Sequence, residues 1–127
     1  MAIIQARSRR KPSGGRYKAK LIKKKKHLLG RTPALTKLDE RKAHQIRVRG
    51  GHAKFKLILA NKINVYDPKT KKHSVEDIET IKENTANSQF VRRNIMTKGA
   101  IVQTKKGKVK ITSRPGQDAG LSGVLVE

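Results

Sequence analysis

The chain has 127 residues, and its 32 Lys and Arg against nine Asp and Glu give a formal net charge of +23 at pH 7. Such a charge repels itself in a compact protein and is tolerated mainly where a polyanion neutralises it, which indicates a nucleic acid or an anionic membrane surface as partner. With two Phe, two Tyr and no Trp, the chain can bury one modest core but no large aromatic substrate pocket, which argues against a metabolic enzyme.

The first third of the chain is its most basic part. Residues 1–38 contain thirteen of the basic residues, no acidic residue and no sustained apolar period, and turn-forming residues interrupt them. We expect residues 1–40 to form an extended arm that is disordered when free and orders only against an anionic partner, with a merely solvated tail as the alternative. The candidate RNA-binding residues of the arm are Arg7, Arg9, Arg10, Lys11, Arg16, Lys18, Lys20, Lys23, Lys24, Lys25, Lys26 and Arg31.

A hairpin is predicted in the middle of the chain. Basic and apolar residues alternate over residues 44–49 and 52–59, on either side of two glycines, which is typical of antiparallel strands joined by a two-residue turn. That turn would place Arg47 opposite Lys54, so that one face is apolar and the other is basic throughout. Repulsion across such a pair favours a phosphate-binding surface over a purely structural one. The candidate residues on this face are Arg47, Arg49, Lys54 and Lys56.

Short elements are predicted downstream of the hairpin. Residues 62–66 form a strand that ends in a turn at residues 67–70. Residues 73–83 fit either a strand or a helix, because apolar residues spaced by three favour a helix whereas β-branched residues favour a strand. Residues 87–94 predict one short helix, capped by Asn87, that buries Phe90 and Val91.

The last quarter of the chain predicts a hairpin and a final strand. Residues 100–104 and 108–113 flank a basic tip, residues 114–117 have the composition of a type II turn, and residues 121–126 form the last strand. We therefore expect a mainly β fold, with residues 41–127 forming a small closed or partly open β-barrel. The candidate RNA-binding residues in the loops of this body are Arg92, Arg93, Lys98, Lys105, Lys106 and Arg114.

Signals of catalysis and of cofactor binding are weak. The four histidines lack the spacing of a metal site, and the paired glycines lack the strand-to-helix context of a nucleotide-binding loop. The absence of cysteine excludes disulfides and thiolate zinc sites and fits a reducing compartment. Residues 1–7 do not resemble a secretory signal, and no apolar stretch approaches the ~20 residues of a membrane span. We expect no enzyme activity, no cofactor, no metal and a cytoplasmic location.

Five blocks of sequence, taken together and in order, resemble one family. The blocks are Arg10–Arg16, Arg47–Gly51, Asn64–Pro68, Val91–Ala100 and Thr112–Asp118. They are similar to the eighth small-subunit ribosomal protein of the archaeal and eukaryotic type, in its short archaeal form. The chain departs from the family pattern at Ile4 and Ala6, where an aromatic residue and a glycine are more frequent, and at residues 119–120.

The resemblance implies a β-barrel-like body with a basic arm that threads into ribosomal RNA of the small subunit, beside neighbouring ribosomal proteins. The predicted function is therefore structural, with ribosomal RNA bound by charge and shape. We expect little base stacking, because Phe55, Tyr66 and Phe90 lie on different elements. The alternative is an architectural nucleic-acid-binding protein outside the ribosome, which would also bind duplex DNA. A membrane-surface protein would need a basic helix with a wide apolar face, and an RNA-acting enzyme is a third alternative.

Overall fold

The structure is a computed structural model that describes residues 3, 5, 7–18 and 25–126. The chain divides into two compact units, Met1–Pro33 and Ala34–Glu127. Residues 34–40, which the sequence analysis assigned to the arm, lie in the second unit.

The elements of the second unit are β1 (Lys37–Leu38), β2 (Lys42–Arg47), a 3-10 turn (Arg49–Gly51), β3 (Ala53–Ala60), β4 (Lys62–Asp67), β5 (Lys72–Glu83), α1 (Gln89–Arg92), β6 (Ile101–Thr104), β7 (Gly107–Ile111) and β8 (Ser122–Val126). The first unit contains a 3-10 turn at Lys26–Leu28.

The second unit contains a closed barrel and a small sheet. The barrel has the strand order β4-β5-β6-β7-β8, and the sheet has the order β1-β3-β2. Neighbouring barrel strands are antiparallel except β4 and β8, which close the ring in parallel. The predicted mainly β fold with one short helix and a small barrel is confirmed.

The barrel interior is filled by aliphatic side chains that alternate with polar ones. Val65 of β4, Val102 of β6 and Val109 of β7 are 1%, 0% and 0% exposed. In β7 the buried Val109 and Ile111 alternate with exposed Lys108 and Lys110, as a strand with one face on a core requires.

The segment that sequence could not assign is the strand β5. Its pairing with β6 is irregular between Ile78 and Thr80 and again between Ile81 and Glu83. A β-bulge inserts an extra residue and changes the side that the following residues face. Ile78 and Ile81 are therefore both buried although they are three residues apart. The helix-like spacing in the sequence comes from a bulged strand.

The segment around α1 is anchored by a buried asparagine. The Asn84 side chain donates to the Ile95 carbonyl (3.1 Å) and accepts from the Thr97 hydroxyl (2.9 Å) and the Ala86 amide (3.0 Å). Asn87 accepts a hydrogen bond from the backbone amide of Gln89 (2.9 Å) at the start of the helix, as predicted.

The predicted burial of α1 is wrong in degree. Phe90 and Val91 are only half-buried, whereas Ile95 and Met96, just after the helix, are 1% and 2% exposed. The helix has one turn, so the chain that follows it supplies most of the contact with the core.

The predicted type II turn at residues 114–117 is also wrong. Gly116 does not have the positive φ that the third position of a type II turn requires. The amides of Gln117 and Asp118 instead both donate to the Arg114 carbonyl, each at 2.9 Å. The Asp118 carboxylate accepts a hydrogen bond from the Arg114 amide (3.0 Å). This side-chain hydrogen bond helps to close the turn without a positive φ at Gly116.

We predict that Gly123→Ala destabilises the barrel. A Cβ at this position in β8 would lie 2.5 Å from Val109 Cγ1 and 2.8 Å from the Lys110 carbonyl oxygen. Overpacking of this kind typically costs about 1–3 kcal/mol. Gly120→Ala is the matched control, because a Cβ there meets nothing within 4 Å. Thermal and denaturant unfolding of both variants would measure the difference, and equal stability would contradict the close approach.

Candidate nucleic-acid interface

A tight turn organises the first part of the arm. The Lys11 amide donates to the Gly15 carbonyl (2.7 Å), and the Gly14 amide donates to the Lys11 carbonyl (3.0 Å). Gly14 has φ +86°, a conformation that glycine adopts without steric cost. Arg10 and Arg16 consequently form an antiparallel bridge. Pro12, Gly14 and Gly15, which predicted an interruption of regular structure, therefore form a turn that pairs Arg10 with Arg16.

Tyr17 lies among these cations, and the sequence analysis did not consider it. The Arg7 guanidinium lies 3.9 Å from the centroid of the Tyr17 ring, and the Lys11 ammonium lies 5.7 Å from it. Both distances are within the range of cation–π attraction. The available signal was an aromatic residue between Arg16 and Lys18 in a segment with no apolar core to occupy.

The other candidates in the arm follow this turn along the chain. Lys18, Lys25, Lys26 and Arg31 are exposed. The candidates Lys20, Lys23 and Lys24, and the family departures Ile4 and Ala6, lie outside the described residues. Within this unit the Gln5 amide donates to the Leu28 carbonyl (2.8 Å), and the Gly30 amide donates to the Ile3 carbonyl (2.7 Å). The beginning and the end of the unit therefore run side by side.

The hairpin of β2 and β3 exists, but its predicted register is wrong by one residue. Arg47 pairs with Ala53, and Lys54 pairs with Ile46. The Val48 amide donates to the His52 carbonyl (2.8 Å), which leaves a three-residue loop instead of the expected two-residue turn. Gly50 and Gly51 both have positive φ, at +76° and +77°.

In the observed register, the residues predicted to form one basic face lie on two different faces of the ribbon. Residues paired across an antiparallel ribbon share a face, and a shift of one residue moves one strand's side chains to the other side. The face that we call the lysine face contains His44, Ile46, Lys54 and Lys56. The face that we call the aromatic face contains Ala43, Gln45, Arg47, Ala53 and Phe55. Arg49 belongs to neither face, because it lies in the loop.

The candidate loop residues lie at two ends of the barrel. The register of β6, β7 and β8 places Ile101, Ile111 and Ser122 at the end where β3 leads into β4, and we call this the ribbon end. Arg92 is exposed at the end of α1, and Arg93, Lys98 and Arg114 are exposed in loops at this end. The Pro115 carbonyl accepts from the Leu57 amide at 2.8 Å, so the Arg114 loop contacts β3 directly.

Lys105 and Lys106 form the tip of the β6–β7 hairpin at the opposite end of the barrel. The Lys106 ammonium lies 2.8 Å from a Glu76 carboxylate oxygen. The hydrogen bond from Lys106 is the main cause that lowers the pKa of Glu76, and a hydrogen bond from Ser74 adds to it against the opposing effect of desolvation. Lys106 is thus partly neutralised within the protein.

Acidic residues are confined to a few places. Residues 41–66 contain seven Lys and Arg and no acidic residue, whereas β5 alone carries Glu76, Asp77, Glu79 and Glu83. At the turn that precedes β5, Asp67 accepts hydrogen bonds from the Thr70 hydroxyl (2.8 Å) and the Lys69 amide (2.9 Å), which lower its pKa. These acids are therefore used in turns and in the barrel wall.

The described residues contain no group of three or more His, Asp or Glu side chains placed to hold a metal ion. Over the same part of the chain, no helix is both long enough and apolar enough to cross a membrane.

A closed five-stranded barrel with a cation-rich ribbon and cation-rich loops defines a small basic β-barrel protein. The sequence model of the ribosomal protein S8e family matches residues 4–126. The small ribosomal subunit protein eS8 of Methanobrevibacter smithii is 52% identical over 126 residues, covering 99% of this chain and all of that protein. The proteins of the same name from Methanosphaera stadtmanae and Picrophilus torridus are 48% and 44% identical, over at least 99% of this chain and all of each relative. The chain belongs to the ribosomal protein S8e family, whose members are structural components and not enzymes.

We predict that Lys106→Ala raises the pKa of Glu76 toward its ordinary value, because the substitution removes the hydrogen bond that lowers it most. Lys105→Ala is the control and should raise this pKa less, since Lys105 acts only through its charge. Because the folded-state pKa is lowered, this carboxylate stabilises the fold above its unfolded-state pKa, and the contribution is lost as the pH falls through the folded value. NMR titration of the Glu76 carboxyl carbon would measure both variants, and equal shifts would contradict the ion pair.

Proposed function

We propose that the protein is a structural constituent of the cytoplasmic small ribosomal subunit and that it binds ribosomal RNA by charge and shape. Membership of the ribosomal protein S8e family and the names of the relatives support the first part. The distribution of charge along the chain supports the second part, the binding of ribosomal RNA. Residues 1–38 and 41–66 contain no acidic residue, so both segments present unbroken positive potential to a polyanion.

The arm is proposed to bind by neutralising phosphates. The turn at residues 11–15 places Arg10 beside Arg16, and no acidic side chain within residues 1–38 competes for them. Guanidinium groups form paired hydrogen bonds with phosphate oxygens. The two arginines paired across the turn therefore suit one bend of an RNA backbone, and the lysines farther along the arm supply less directional charge.

The body is proposed to bind through its ribbon end. The lysine face, the three-residue loop with Arg49, and the exposed Arg92, Arg93, Lys98 and Arg114 all lie on the ribbon or around its base. Lys105 and Lys106 are a separate contact at the other end of the barrel. A protein with cations at both ends of a barrel could bridge two RNA segments, which suits a structural role.

Neighbouring ribosomal proteins are the proposed second class of partner. β5 carries four acidic residues on the barrel wall, where phosphates would be repelled. We infer that this wall is turned away from RNA, toward solvent or toward another protein of the subunit.

We predict that the arm turn controls the salt dependence of binding. Replacing Arg9, Arg10, Lys11 and Arg16 by Gln in the full chain should flatten the plot of log K against log salt by about 3, since each phosphate contact contributes roughly 0.7–0.9 to the slope. The measurement is a salt titration of binding to a transcript of small-subunit ribosomal RNA from Methanobrevibacter smithii.

The matched control removes the same charge from the β4–β5 turn and from β5, by replacing Lys69, Lys71, Lys72 and Lys82 with Gln. Its slope should change by less than half as much. Equal effects of the two variants would show that only net charge matters. Equally tight binding of the natural chain to duplex DNA would favour an architectural protein outside the ribosome.

We also predict that the arm becomes ordered when RNA binds, which tests the proposed division of the chain into a basic arm and a folded body. In the free protein the amides of Lys11, Gly14 and Tyr17 should exchange rapidly, because their hydrogen bonds span one turn without an apolar core. Barrel amides such as those of Val102 and Val109 should be strongly protected. Hydrogen exchange with and without the transcript would show new protection in the arm. Protection of the arm amides in the free protein equal to that of the barrel would contradict the proposal.

A further inference from the structure

The ribbon of β2 and β3 is built differently from the barrel. In the part of the chain that the structure describes, the ribbon between Ala43 and Lys56 has two strands, because β1 pairs with β3 at Leu59 and Ala60. Side chains on both sides of this ribbon are mostly exposed. An isolated two-stranded ribbon is marginally stable in water and needs packing on at least one face. The barrel does not supply that packing for these residues.

Phe55 is the large apolar side chain on this ribbon that the fold leaves uncovered. It is 43% exposed, whereas Leu57, two residues farther on the same face, is 1% exposed. The predicted register, with Arg47 opposite Lys54, would have placed Ile46 opposite Phe55 and covered the ring with an apolar partner. In the observed register Gln45 lies opposite Phe55 instead. The core therefore does not account for an aromatic residue at this position.

The neighbours of Phe55 leave space above it and offer polar groups beside it. Ala53 lies two residues away on the same strand, and Ala43 is one of its two diagonal neighbours across the ribbon. Both side chains are too short to cover a ring. The other diagonal neighbour is Arg47, and side chains at such positions remain within reach of an aromatic group. An open ring thus lies beside an amide and a guanidinium group.

The geometry points to the aromatic face as a binding site for one unpaired RNA base, which stacks on Phe55 while Gln45 hydrogen-bonds to the base edge. This inference rests on the proposed binding of ribosomal RNA. An unpaired base offers a planar apolar surface with polar edges, and proteins recognise such bases by stacking them on aromatic side chains and bonding their edges. The amide of Gln45 supplies both a donor and an acceptor.

Charge favours RNA over a protein as the occupant of this face. The ribbon and the residues around it, from 41 to 66, carry seven Lys and Arg and no acidic residue. Phosphates on either side of a stacked base would meet Arg47 on the same face and Arg49 in the loop at the end of the ribbon. The expectation of little base stacking, drawn from the scarcity of aromatic residues, is thereby revised to one defined stacking contact.

The test compares three substitutions at Phe55 in the full chain, with binding to the Methanobrevibacter smithii small-subunit RNA transcript as the readout. Phe55→Ala should weaken binding by about 5- to 100-fold, the usual effect of losing one stacked base. Phe55→Tyr should retain affinity, because it keeps the ring. Phe55→Leu should lose most of the affinity although it stays apolar. All three should melt close to the natural chain, since the side chain is exposed.

Two controls separate stacking from charge and from general surface effects. Val75→Ala removes the most exposed apolar side chain of the barrel, at 65%, and should leave affinity unchanged. Lys54→Gln, on the opposite face of the ribbon, should reduce the salt slope by roughly 0.7–0.9, whereas the Phe55 variants should lower affinity at every salt concentration without changing the slope. Ultraviolet cross-linking followed by mass spectrometry should find a nucleotide attached to the peptide that contains Phe55.

The outcomes distinguish this inference from the proposed function. If the natural chain does not bind the transcript, the proposed function fails. If it binds with a steep salt dependence but Phe55→Ala binds equally well, only the stacking site is refuted. Retained affinity in Phe55→Leu would also refute stacking, since any apolar contact would then suffice. If the Phe55 variants bind the transcript normally but fail to enter assembled subunits, the face contacts a protein and the inference is wrong.

Discussion

Closure of the barrel is the interaction on which the rest of the structure depends. β8 pairs with β7 on one side and in parallel with β4 on the other, so every barrel strand has two hydrogen-bonded neighbours. The core cluster consists of Val, Ile, Leu, Ala and Met side chains, with no aromatic residue among its buried members. That small core must hold a chain of net charge +23, whose self-repulsion disfavours compaction. A closed ring satisfies its own backbone hydrogen bonds and presents no open edge to another chain.

Sequence patterns identified most of the strands but could not determine the side that each residue faces. In β5 the spacing of Ile78 and Ile81 fitted a helix equally well, because a bulge shifts the alternation by one residue. The bulge is visible only in the pairing of β5 with β6, and the sequence of β5 alone does not show how the two strands pair. The turn after β4 was predicted correctly because Asp67 acts locally, through hydrogen bonds with Lys69 and Thr70 within four residues.

The candidate interface was predictable as a composition and not as a geometry. The two adjacent glycines indicated a two-residue turn, yet the ribbon has a three-residue loop in which both adopt positive φ. Because of that one-residue difference, Arg47 and Lys54 lie on different faces of the ribbon and are not paired with each other. Tyr17 was missed for a related reason, since its contacts with Arg7 and Lys11 depend on how the turn between them folds. The predicted positive potential of the interface is not affected by such errors, because a long-range potential depends little on strand register.

The ribbon and the arm share a physical property that connects stability to binding. Over the described residues neither has an apolar core of its own: the arm turn is held by backbone hydrogen bonds and cation–π contacts, and the side chains on both sides of the ribbon are mostly exposed. Fixing a backbone residue costs about 1–2 kcal/mol of conformational entropy, which such contacts offset only in part. A bound polyanion would supply the remainder, by removing the repulsion among cations and by covering Phe55. The segments least stable in the free protein are then those that gain most from RNA, while the barrel remains folded in both states and fixes where they begin.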